Sequence, residues 1–406
     1  MRVHVMGLGA VGCLVAFHLR RALDRSSSVT LMHKHMQHLL KAHKAGSTVK
    51  VEHSGTVMPA YGFEHDVWEA SAIPQRDTQV EEIDIPNREV PKPPSASGSG
   101  AISTLFVTTK AYSILPSIKR LIPRLTADST IVLMNNGMGV YEQLVTQVFP
   151  NRLNRPHFIV AVNSHGAWLK QYLHIVHAGI GNIKFAIMPD GRGRDFEAAY
   201  RNAEDDANAK LSLDDIHQLQ GDPADFHYYS LRRTVQLLQD AKGLYAHWLP
   251  VYNVQQEMRR KVVVNSVINP LTALIGCQNG EIFEHEAGKP LAIRICAEAA
   301  AAFRAEWETS RRRGINAGNQ SLIDEKYPSN MTSAAFMQEC ERIARITSDN
   351  ISSMLTDVRR ARPTEIDYLN GYLFNVGVRH RVPMPTNRTM IQLMALRSSV
   401  PLRGLL

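Results

Sequence analysis

The sequence predicts an α/β N-terminal half followed by an all-helical C-terminal half. Short apolar segments of strand type recur from the first residues to residue 177, and a glycine-rich turn separates the first of them from a helix. From residue 254 onward the apolar residues recur with helical spacing almost throughout. This change of period puts the boundary near residue 252, which gives the domains 1–252 and 253–406.

A strand–helix–strand unit is predicted at the N-terminus. Val3–Met6 is a short apolar run, and the turn Gly7-Leu8-Gly9-Ala10-Val11-Gly12 follows it directly. Cys13–Arg21 then has the spacing of a helix, and Val29–Met32 is a second strand. This order predicts a βαβ unit with parallel strands.

Further strands and two polar insertions complete the N-terminal domain. Residues 64–100 contain five prolines and end in a serine–glycine run, and residues 190–227 are polar with little apolar periodicity. Such segments bury too little apolar surface to offset their ordering entropy, so we expect both outside the core. The remaining predicted strands are Thr104–Thr108, Thr130–Met134, Phe158–Val162 and Leu173–His177.

Four long helices are predicted in the C-terminal domain. Pro270 is expected to break or kink the first of them just after Asn269, because proline lacks the N–H that an inner helical turn needs. Pro363 suits the first turn of the last helix. The predicted helices are Val254–Ile275, Pro290–Arg312, Ser333–Leu355 and Pro363–Arg379.

Composition narrows the function classes. A hydrophobic content of 44% and a charged content of 21% are ordinary for a globular protein, and the sequence has no apolar run of membrane-spanning length. With a strand starting almost at the first residue, no secretory leader is expected, so we predict a cytoplasmic protein, with a mitochondrial location left open. The net charge of +8 favours anionic ligands. The basic residues are scattered along the chain and form no cluster, so nucleic-acid binding is not predicted.

The glycine turn has the spacing of a dinucleotide-binding loop. Gly7 permits the tight turn, Gly9 lets backbone approach a pyrophosphate, and Gly12 lets helix and strand pack closely. The helix N-terminus adds free N–H groups for the phosphates. A glycine-rich turn without a ligand is the alternative.

The end of the second strand favours NADP over NAD. NAD sites usually place an acidic residue there, whereas this chain has Met32-His33-Lys34-His35. Lys34 suits the extra phosphate of NADP, although a solvated surface lysine stays possible. No metal is predicted, because the nearby histidines His33, His35, His38 and His43 form no standard ligand motif.

Candidate catalytic side chains lie on the C-terminal helices. Lys261, Asn265 and Asn269 are each four residues apart and share one face of a helix that is otherwise rich in valine and isoleucine. Asn350 and Ser353 are three apart, which also predicts one helical face. Either set could instead be a polar face in water.

Taken together, these residues resemble those of the ketopantoate reductase (2-dehydropantoate 2-reductase) family. The resemblance is carried by segments that span nearly the whole chain outside the two insertions. It implies a Rossmann domain joined to a helical domain of the 6-phosphogluconate-dehydrogenase C-terminal type. The segments are Gly7–Gly12, Val107–Ala111, Asn135–Gly139, Lys261–Gly280 and Asn350–Gly371.

The resemblance also implies roles for individual residues. The family's catalytic lysine falls on Lys261, and the carboxylate that binds substrate and assists catalysis falls on Glu365. The cofactor-side lysine falls on Lys110 and the amide near the nicotinamide on Asn136, while Lys34 replaces the family's arginine for the 2′-phosphate. The implied substrate contacts are Asn265, Asn269, Asn350 and Ser353.

The activity implied is the NADPH-dependent reduction of 2-dehydropantoate to (R)-pantoate in pantothenate and coenzyme A biosynthesis. The expected partner is a small keto acid, with no nucleic acid or membrane, and the expected assembly is a monomer or homodimer. Two alternatives stay open. One is a paralogous reductase of another keto acid, and the other is a non-catalytic regulatory descendant of the fold.

Overall fold

A computed structural model describes residues 1–69, 100–203, 210–217, 223–317 and 326–400. Its contacts divide the chain into two units. The first comprises Met1–Asn135 and Gln143–Val254, and the second comprises Asn136–Glu142 and Gln255–Leu406. The short segment Asn136–Glu142 therefore belongs to the same unit as the C-terminal helices, although it lies within the predicted range 1–252.

The strands form two sheets in the first unit. Apolar runs with many β-branched residues suit strands that are buried on both faces of a sheet. The strands are β1 (Arg2–Met6), β2 (Ser28–His33), β3 (Val49–His53), β4 (Thr56–Ala60), β5 (Phe63–Val67), β6 (Thr104–Val107), β7 (Thr130–Leu133), β8 (His157–Asn163), β9 (Gly166–Gln171), β10 (His174–Gly179), β11 (Ile183–Ile187) and β12 (Ala246–Trp248).

The larger sheet has eight strands in the order β12-β11-β8-β7-β6-β1-β2-β5. Neighbouring strands from β5 to β8 are parallel, whereas β11 pairs with β8 in the antiparallel sense. The parallel part has the strand order of a Rossmann fold, in which the connections diverge on either side of β1. A smaller sheet has the order β4-β3-β10-β9.

Helices cover the large sheet and make up nearly all of the second unit. They are α1 (Ala10–Ala22), α2 (Met36–Lys44), α3 (Ala111–Leu121), α4 (Val140–Gln147), α5 (Ala198–Asn202), α6 (Tyr229–Asp240), α7 (Val251–Ile275), α8 (Glu281–Glu284), α9 (Lys289–Asn316), α10 (Ser333–Ile346), α11 (Ser353–Arg359), α12 (Asn370–Arg379) and α13 (Pro385–Ser399). The predicted α/β fold with an all-helical C-terminal domain is confirmed.

Each unit has its own apolar core. In the first unit Phe17 of α1 and Phe106 of β6 are buried in one cluster with the other strands. In the second unit Phe303 of α9 meets Phe336 of α10 edge to face, with ring centroids 6.3 Å apart. The two cores explain why the chain folds as two units, since each unit buries a separate apolar surface.

Each predicted insertion includes residues that belong to the folded part of the first unit. Residues 64–67 of the first belong to β5, which pairs with β2 at the edge of the large sheet. Within the second, Phe196 and Ile216 are buried in the core of the first unit. Isolated apolar residues in a polar stretch give no periodicity, which is why the sequence did not reveal them. Residues 70–99, 204–209 and 218–222 lie outside the described parts of the chain.

Two helix predictions in the second unit were also wrong in detail. Ser333–Leu355 is two helices, α10 and α11, with a break at residues 347–352. Pro363 is not in a helix, because α12 begins only at Asn370, after a short 3₁₀ turn formed by Ile366–Tyr368.

Pro270 lies inside α7 and does not end it. The missing N–H of Pro270 leaves the carbonyl oxygen of Ser266 without its helical donor. The buried side chain of Asn370 supplies the missing bond, because its Nδ2 donates to that oxygen at 3.0 Å. The helix therefore continues through the proline with help from a distant residue that the local sequence does not reveal.

Across the parts of the chain that the structure describes, no helix combines the length and the apolar character that crossing a membrane requires.

Candidate functional site

The glycine turn after β1 is held by the turn after β6. Gly7 has a φ of +102°, and a Cβ atom there would lie 2.5 Å from the backbone nitrogen of Thr109. Thr108 Oγ1 donates to the carbonyl oxygen of Gly7 at 2.6 Å. Only glycine satisfies both the left-handed backbone and the close approach, so Gly7 is fixed by the fold itself.

Gly9 and Gly12 differ in their surroundings. A Cβ atom on Gly12 would lie 2.0 Å from the carbonyl oxygen of Gly7, which fits its predicted role in helix–strand packing. A Cβ atom on Gly9 would meet nothing within 4 Å. No close contact of the fold requires glycine at this exposed position, and its open surroundings leave room for a ligand to approach the backbone.

The start of α1 fits a pyrophosphate group. Gly9 is the N-cap residue of α1 and makes no side-chain cap hydrogen bond, and the first turn contains no acidic residue. Free N–H groups and a positive dipole end at this point favour an anion. Leu8, Ala10 and Val11 are half-buried around it.

The site lies where the strand order of the large sheet reverses. Since β1 and β6 are neighbouring parallel strands whose connections diverge, their carboxyl ends bound the crevice where α/β sheets bind ligands. Lys110 is half-buried directly before α3, next to the turn that contacts Gly7. This position is compatible with its predicted role beside the cofactor.

The end of β2 contains an acid that the sequence did not reveal. Lys34 is exposed, with 54% of its side chain accessible, and its Nζ lies 3.6 Å from Glu69 Oε2. Glu69 follows β5, and its backbone N–H donates to the carbonyl oxygen of Lys34 at 3.2 Å. The expectation that no acid lies at this strand end is therefore wrong, because the segment that follows the neighbouring strand β5 supplies Glu69.

Lys261 is the central group of the second unit. It is half-buried on α7, and its Nζ donates to Asn136 Oδ1 at 3.0 Å. Burial lowers the pKa of the Lys261 ammonium to about 8, and the negative charge of Glu365 acts against this fall. A lysine with a pKa near neutrality can both hold a proton at pH 7 and release it.

A glycine contact fixes the position of Asn136. Gly137 has a φ of +82°, and a Cβ atom there would lie 2.6 Å from the carbonyl oxygen of Tyr368. The N–H of Met138 donates to that same oxygen at 3.0 Å. The backbone on either side of Gly137 is therefore pressed against the 3₁₀ turn, which brings Asn136 to Lys261.

Glu365 is held by the same 3₁₀ turn. Its side chain is buried, with a relative exposure of 4%, and its carbonyl oxygen accepts from the N–H of Tyr368. The contacts therefore run from Glu365 through Tyr368 and Met138 to Asn136 and Lys261. This arrangement places a carboxylate, an amide and an ammonium group in one region of the second unit.

The four predicted substrate contacts occupy two kinds of position. Asn265 and Asn269 are half-buried on α7 in the same unit as Lys261, and they follow it at one-turn intervals. Asn350 is exposed before α11, so it is not on the helix that the spacing suggested. Ser353 is exposed in the first turn of α11.

The start of α11 is tied to α7 by two hydroxyl groups. Thr272 Oγ1, on α7, donates to Ser352 Oγ at 2.7 Å, and Ser352 Oγ in turn accepts from the N–H of Leu355. Ser352 is the N-cap residue of α11 and is buried, whereas the neighbouring Ser353 is exposed. The sequence pattern did not distinguish these two serines.

One group of side chains brings three possible metal-binding atoms together among the described residues. His157, Asp190 and His227 place their ligand atoms within 4.8 Å of one another. Each has protein partners: His157 Nε2 bonds to the carbonyl oxygen of His227, His227 Nδ1 bonds to Asp128, and Asp190 accepts from the Tyr228 hydroxyl. These bonds account for the group without an ion, and the expectation of no metal stays a prediction.

Comparison with known proteins assigns the family. The family described as ketopantoate reductase PanE/ApbA matches residues 3–190, and the family described as ketopantoate reductase PanE/ApbA C terminal matches residues 253–398. The chain belongs to the ketopantoate reductase family. This membership confirms the resemblance found in the sequence and makes the chain an oxidoreductase.

Relatives with this name cover nearly the whole chain. A probable 2-dehydropantoate 2-reductase of Schizosaccharomyces pombe is 24% identical over 96% of this chain and 95% of its own length. A 2-dehydropantoate 2-reductase of Saccharomyces cerevisiae is 26% identical over 92% of this chain and 88% of its own length.

Solved structures share the fold at lower identity. The ketopantoate reductase family member from Ralstonia eutropha JMP134 has a TM-score of 0.64 at 18% identity and covers 98% of both chains. D-mandelate dehydrogenase, solved with NADH and anilino(oxo)acetate, has a TM-score of 0.65 at 16% identity and the same coverage.

Proposed function

We propose that this chain catalyses the NADPH-dependent reduction of 2-dehydropantoate to (R)-pantoate, a step of pantothenate and coenzyme A biosynthesis. The observation that carries the proposal is the contact of a half-buried, pKa-lowered Lys261 with Asn136 beside Glu365. The dinucleotide cradle of the first unit supports it, since Gly9 has open space where a phosphate would approach.

Lys261 is the proposed proton donor. When bound, NADPH supplies a hydride to the carbon of the ketone. Lys261 is mostly protonated at pH 7, because its pKa of about 8 lies above that pH. Its ammonium can donate a hydrogen bond to the ketone oxygen, stabilise the negative charge that grows there and transfer the proton that completes the hydroxyl group. Solvent then restores the proton on Lys261.

The neighbouring groups orient the lysine and the substrate. Asn136 accepts from the Lys261 ammonium and so fixes its direction. The Glu365 carboxylate raises the pKa of Lys261 and keeps it cationic, and we propose that it also accepts from the hydroxyl group of the substrate. Asn265, Asn269, Asn350 and Ser353 are the proposed contacts of the substrate carboxylate and hydroxyl, since amides and hydroxyls bind such groups without adding charge.

Lys34 is the proposed contact of the 2′-phosphate of NADPH, and Lys110 is the second cation on the cofactor side. Calorimetric titration with NADPH and NADH tests the preference. Lys34→Ala should weaken NADPH binding about tenfold or more and leave NADH almost unchanged, because an ion-paired hydrogen bond contributes roughly 1.5–3 kcal/mol. Equal loss for both cofactors would remove Lys34 from this role.

The direct test of the activity is NADPH oxidation with 2-dehydropantoate and a panel of other 2-keto acids. A second candidate is the reduction of a bulkier 2-keto acid, which the similarity in fold to D-mandelate dehydrogenase favours. Highest kcat/KM with 2-dehydropantoate supports the first proposal. Highest kcat/KM with an aryl 2-keto acid supports the second proposal. If none of the acids tested supports NADPH oxidation, both proposals are contradicted.

We also propose a homodimer in preference to a monomer. The ketopantoate reductase from Staphylococcus aureus is dimeric according to the description of its structure, and this chain shares its fold with a TM-score of 0.58 at 14% identity. Light scattering of the purified chain distinguishes the two states. The predicted cytoplasmic location can be tested by fractionation.

A further inference from the structure

Basic side chains converge on one carboxylate at the end of β2. Glu69 Oε1 accepts from Arg120 Nη1, and Glu69 Oε2 lies 3.6 Å from both Lys34 Nζ and His35 Nδ1. Arg120 comes from the last turn of α3, a different part of the first unit. The cluster is thus assembled from the ends of three elements.

The backbone fixes this carboxylate beside the strand end. The N–H of Trp68 donates to His33 O at 3.1 Å, and the N–H of Glu69 donates to Lys34 O at 3.2 Å. The side chain of Glu69 is only 19% exposed. Glu69 therefore lies beside the end of β2, the strand end at which an NAD site presents its acid to the ribose, although it follows β5 in the chain.

Glu69 is ionised at neutral pH. Burial alone would raise its pKa, but the hydrogen bond from Arg120 and the charge of Lys34 hold the pKa of the Glu69 carboxyl below its ordinary value. Oε2 is buried and has no hydrogen-bond donor among the described residues. One oxygen of this anion is therefore engaged by Arg120, while the other lies 3.6 Å from Lys34 and from His35 without a hydrogen bond.

We infer that Glu69 sets the choice between NADPH and NADH, by competing with the 2′-phosphate for Lys34 and Arg120 and by accepting from the 2′-hydroxyl of NADH. The inference rests on the proposed function and adds two residues to its cofactor site. A phosphate and a carboxylate that share the same cations repel each other, so the acid weakens NADPH binding. The same acid is the usual acceptor for a free ribose hydroxyl.

Calorimetric titration of Glu69→Gln with each cofactor tests the inference. The amide keeps the shape and removes the charge. NADPH should bind about tenfold more tightly than to the wild type, and NADH several-fold more weakly, in line with the effect of one charged hydrogen bond. The matched control is Glu64→Gln on β5, the strand that precedes Glu69, since Glu64 pairs with Arg2 and Thr30. This control should change neither affinity.

A second variant keeps the test decisive if Glu69→Gln folds poorly. Arg120→Gln removes one cation and should weaken NADPH binding several-fold while NADH affinity stays within twofold of the wild type. An unchanged ratio of the two affinities in either folded variant would overturn the inference. If the wild-type chain binds neither dinucleotide, the proposed function fails instead, so the two failures are distinguishable.

Discussion

The glycine turn of the first unit and the lysine cluster of the second are built in opposite ways. The glycine turn is one contiguous segment, and two of its glycines are required by backbone contacts with Thr109 and with Gly7 itself. The lysine cluster joins Lys261 to Asn136, which lies 125 positions away in the chain. A site shaped by backbone is therefore encoded locally, whereas the shifted pKa of a side chain depends on tertiary packing.

The largest effect is expected at Lys261. Lys261→Ala should lower kcat by about 10²–10³ while NADPH affinity stays near the wild-type value, because such a loss is typical of one group that stabilises a developing oxyanion. Steady-state kinetics with calorimetry of the cofactor measures both. Lys289→Ala is the control, since Lys289 pairs with the exposed Glu286 in the same unit. A Lys261→Ala enzyme with near-normal kcat would remove the mechanism.

A smaller effect is expected where the lysine cluster depends on backbone shape. Gly137→Ala places a methyl group against Tyr368 O and should lower kcat by roughly ten- to a hundredfold, because displacing Asn136 misplaces Lys261. Gly55→Ala is the control that introduces backbone strain without a close contact. Gly55 has a similar φ of +80° but open space around its Cβ position.

Both variants should lose about 1–2 kcal/mol of stability from the left-handed backbone, and Gly137→Ala should lose more. Thermal unfolding and kcat, measured on both variants, separate the effect of backbone strain from the effect of the contact with Tyr368. Equal kcat in Gly55→Ala and Gly137→Ala would show that the contact with Tyr368 does not position Asn136.

The smallest effect on activity is expected inside the glycine turn. Gly9→Ala meets no protein atom, so its thermal stability should stay close to that of the wild type, while dinucleotide affinity should fall about tenfold as backbone approach is blocked. Gly12→Ala should instead lower the thermal stability of the fold, because its Cβ atom would overlap the carbonyl oxygen of Gly7. Calorimetry and thermal unfolding measure the two properties. Unchanged affinity in Gly9→Ala would count against a phosphate at this turn.

The same contrast explains what the sequence could predict. The βαβ unit and the all-helical second half follow from apolar periodicity, which is a local property. The roles of Gly7 and Gly12 follow from spacing alone. The strand β5 was missed because it lies at the edge of a proline-rich segment, and its weak alternation did not separate it from the polar residues that follow.

The sequence could name candidates for the site but could not predict their geometry. Helical spacing placed Lys261, Asn265 and Asn269 on one helix, and the family resemblance added Glu365 and Asn136. No local pattern could show that Glu69 stands at the end of β2. Likewise, Asn370 replaces the donor lost at Pro270 through a contact that forms only in the folded chain.

The measurement that tests the central proposal most directly is the pH dependence of kcat/KM for ketone reduction. If Lys261 must carry a proton, the rate should be steady below its pKa of about 8 and fall tenfold per pH unit above it. Because the charge of Glu365 raises this pKa, Glu365→Gln should move the descending limb to lower pH. A profile that stays flat to pH 10, or a limb that does not move in Glu365→Gln, would contradict the role assigned to Lys261.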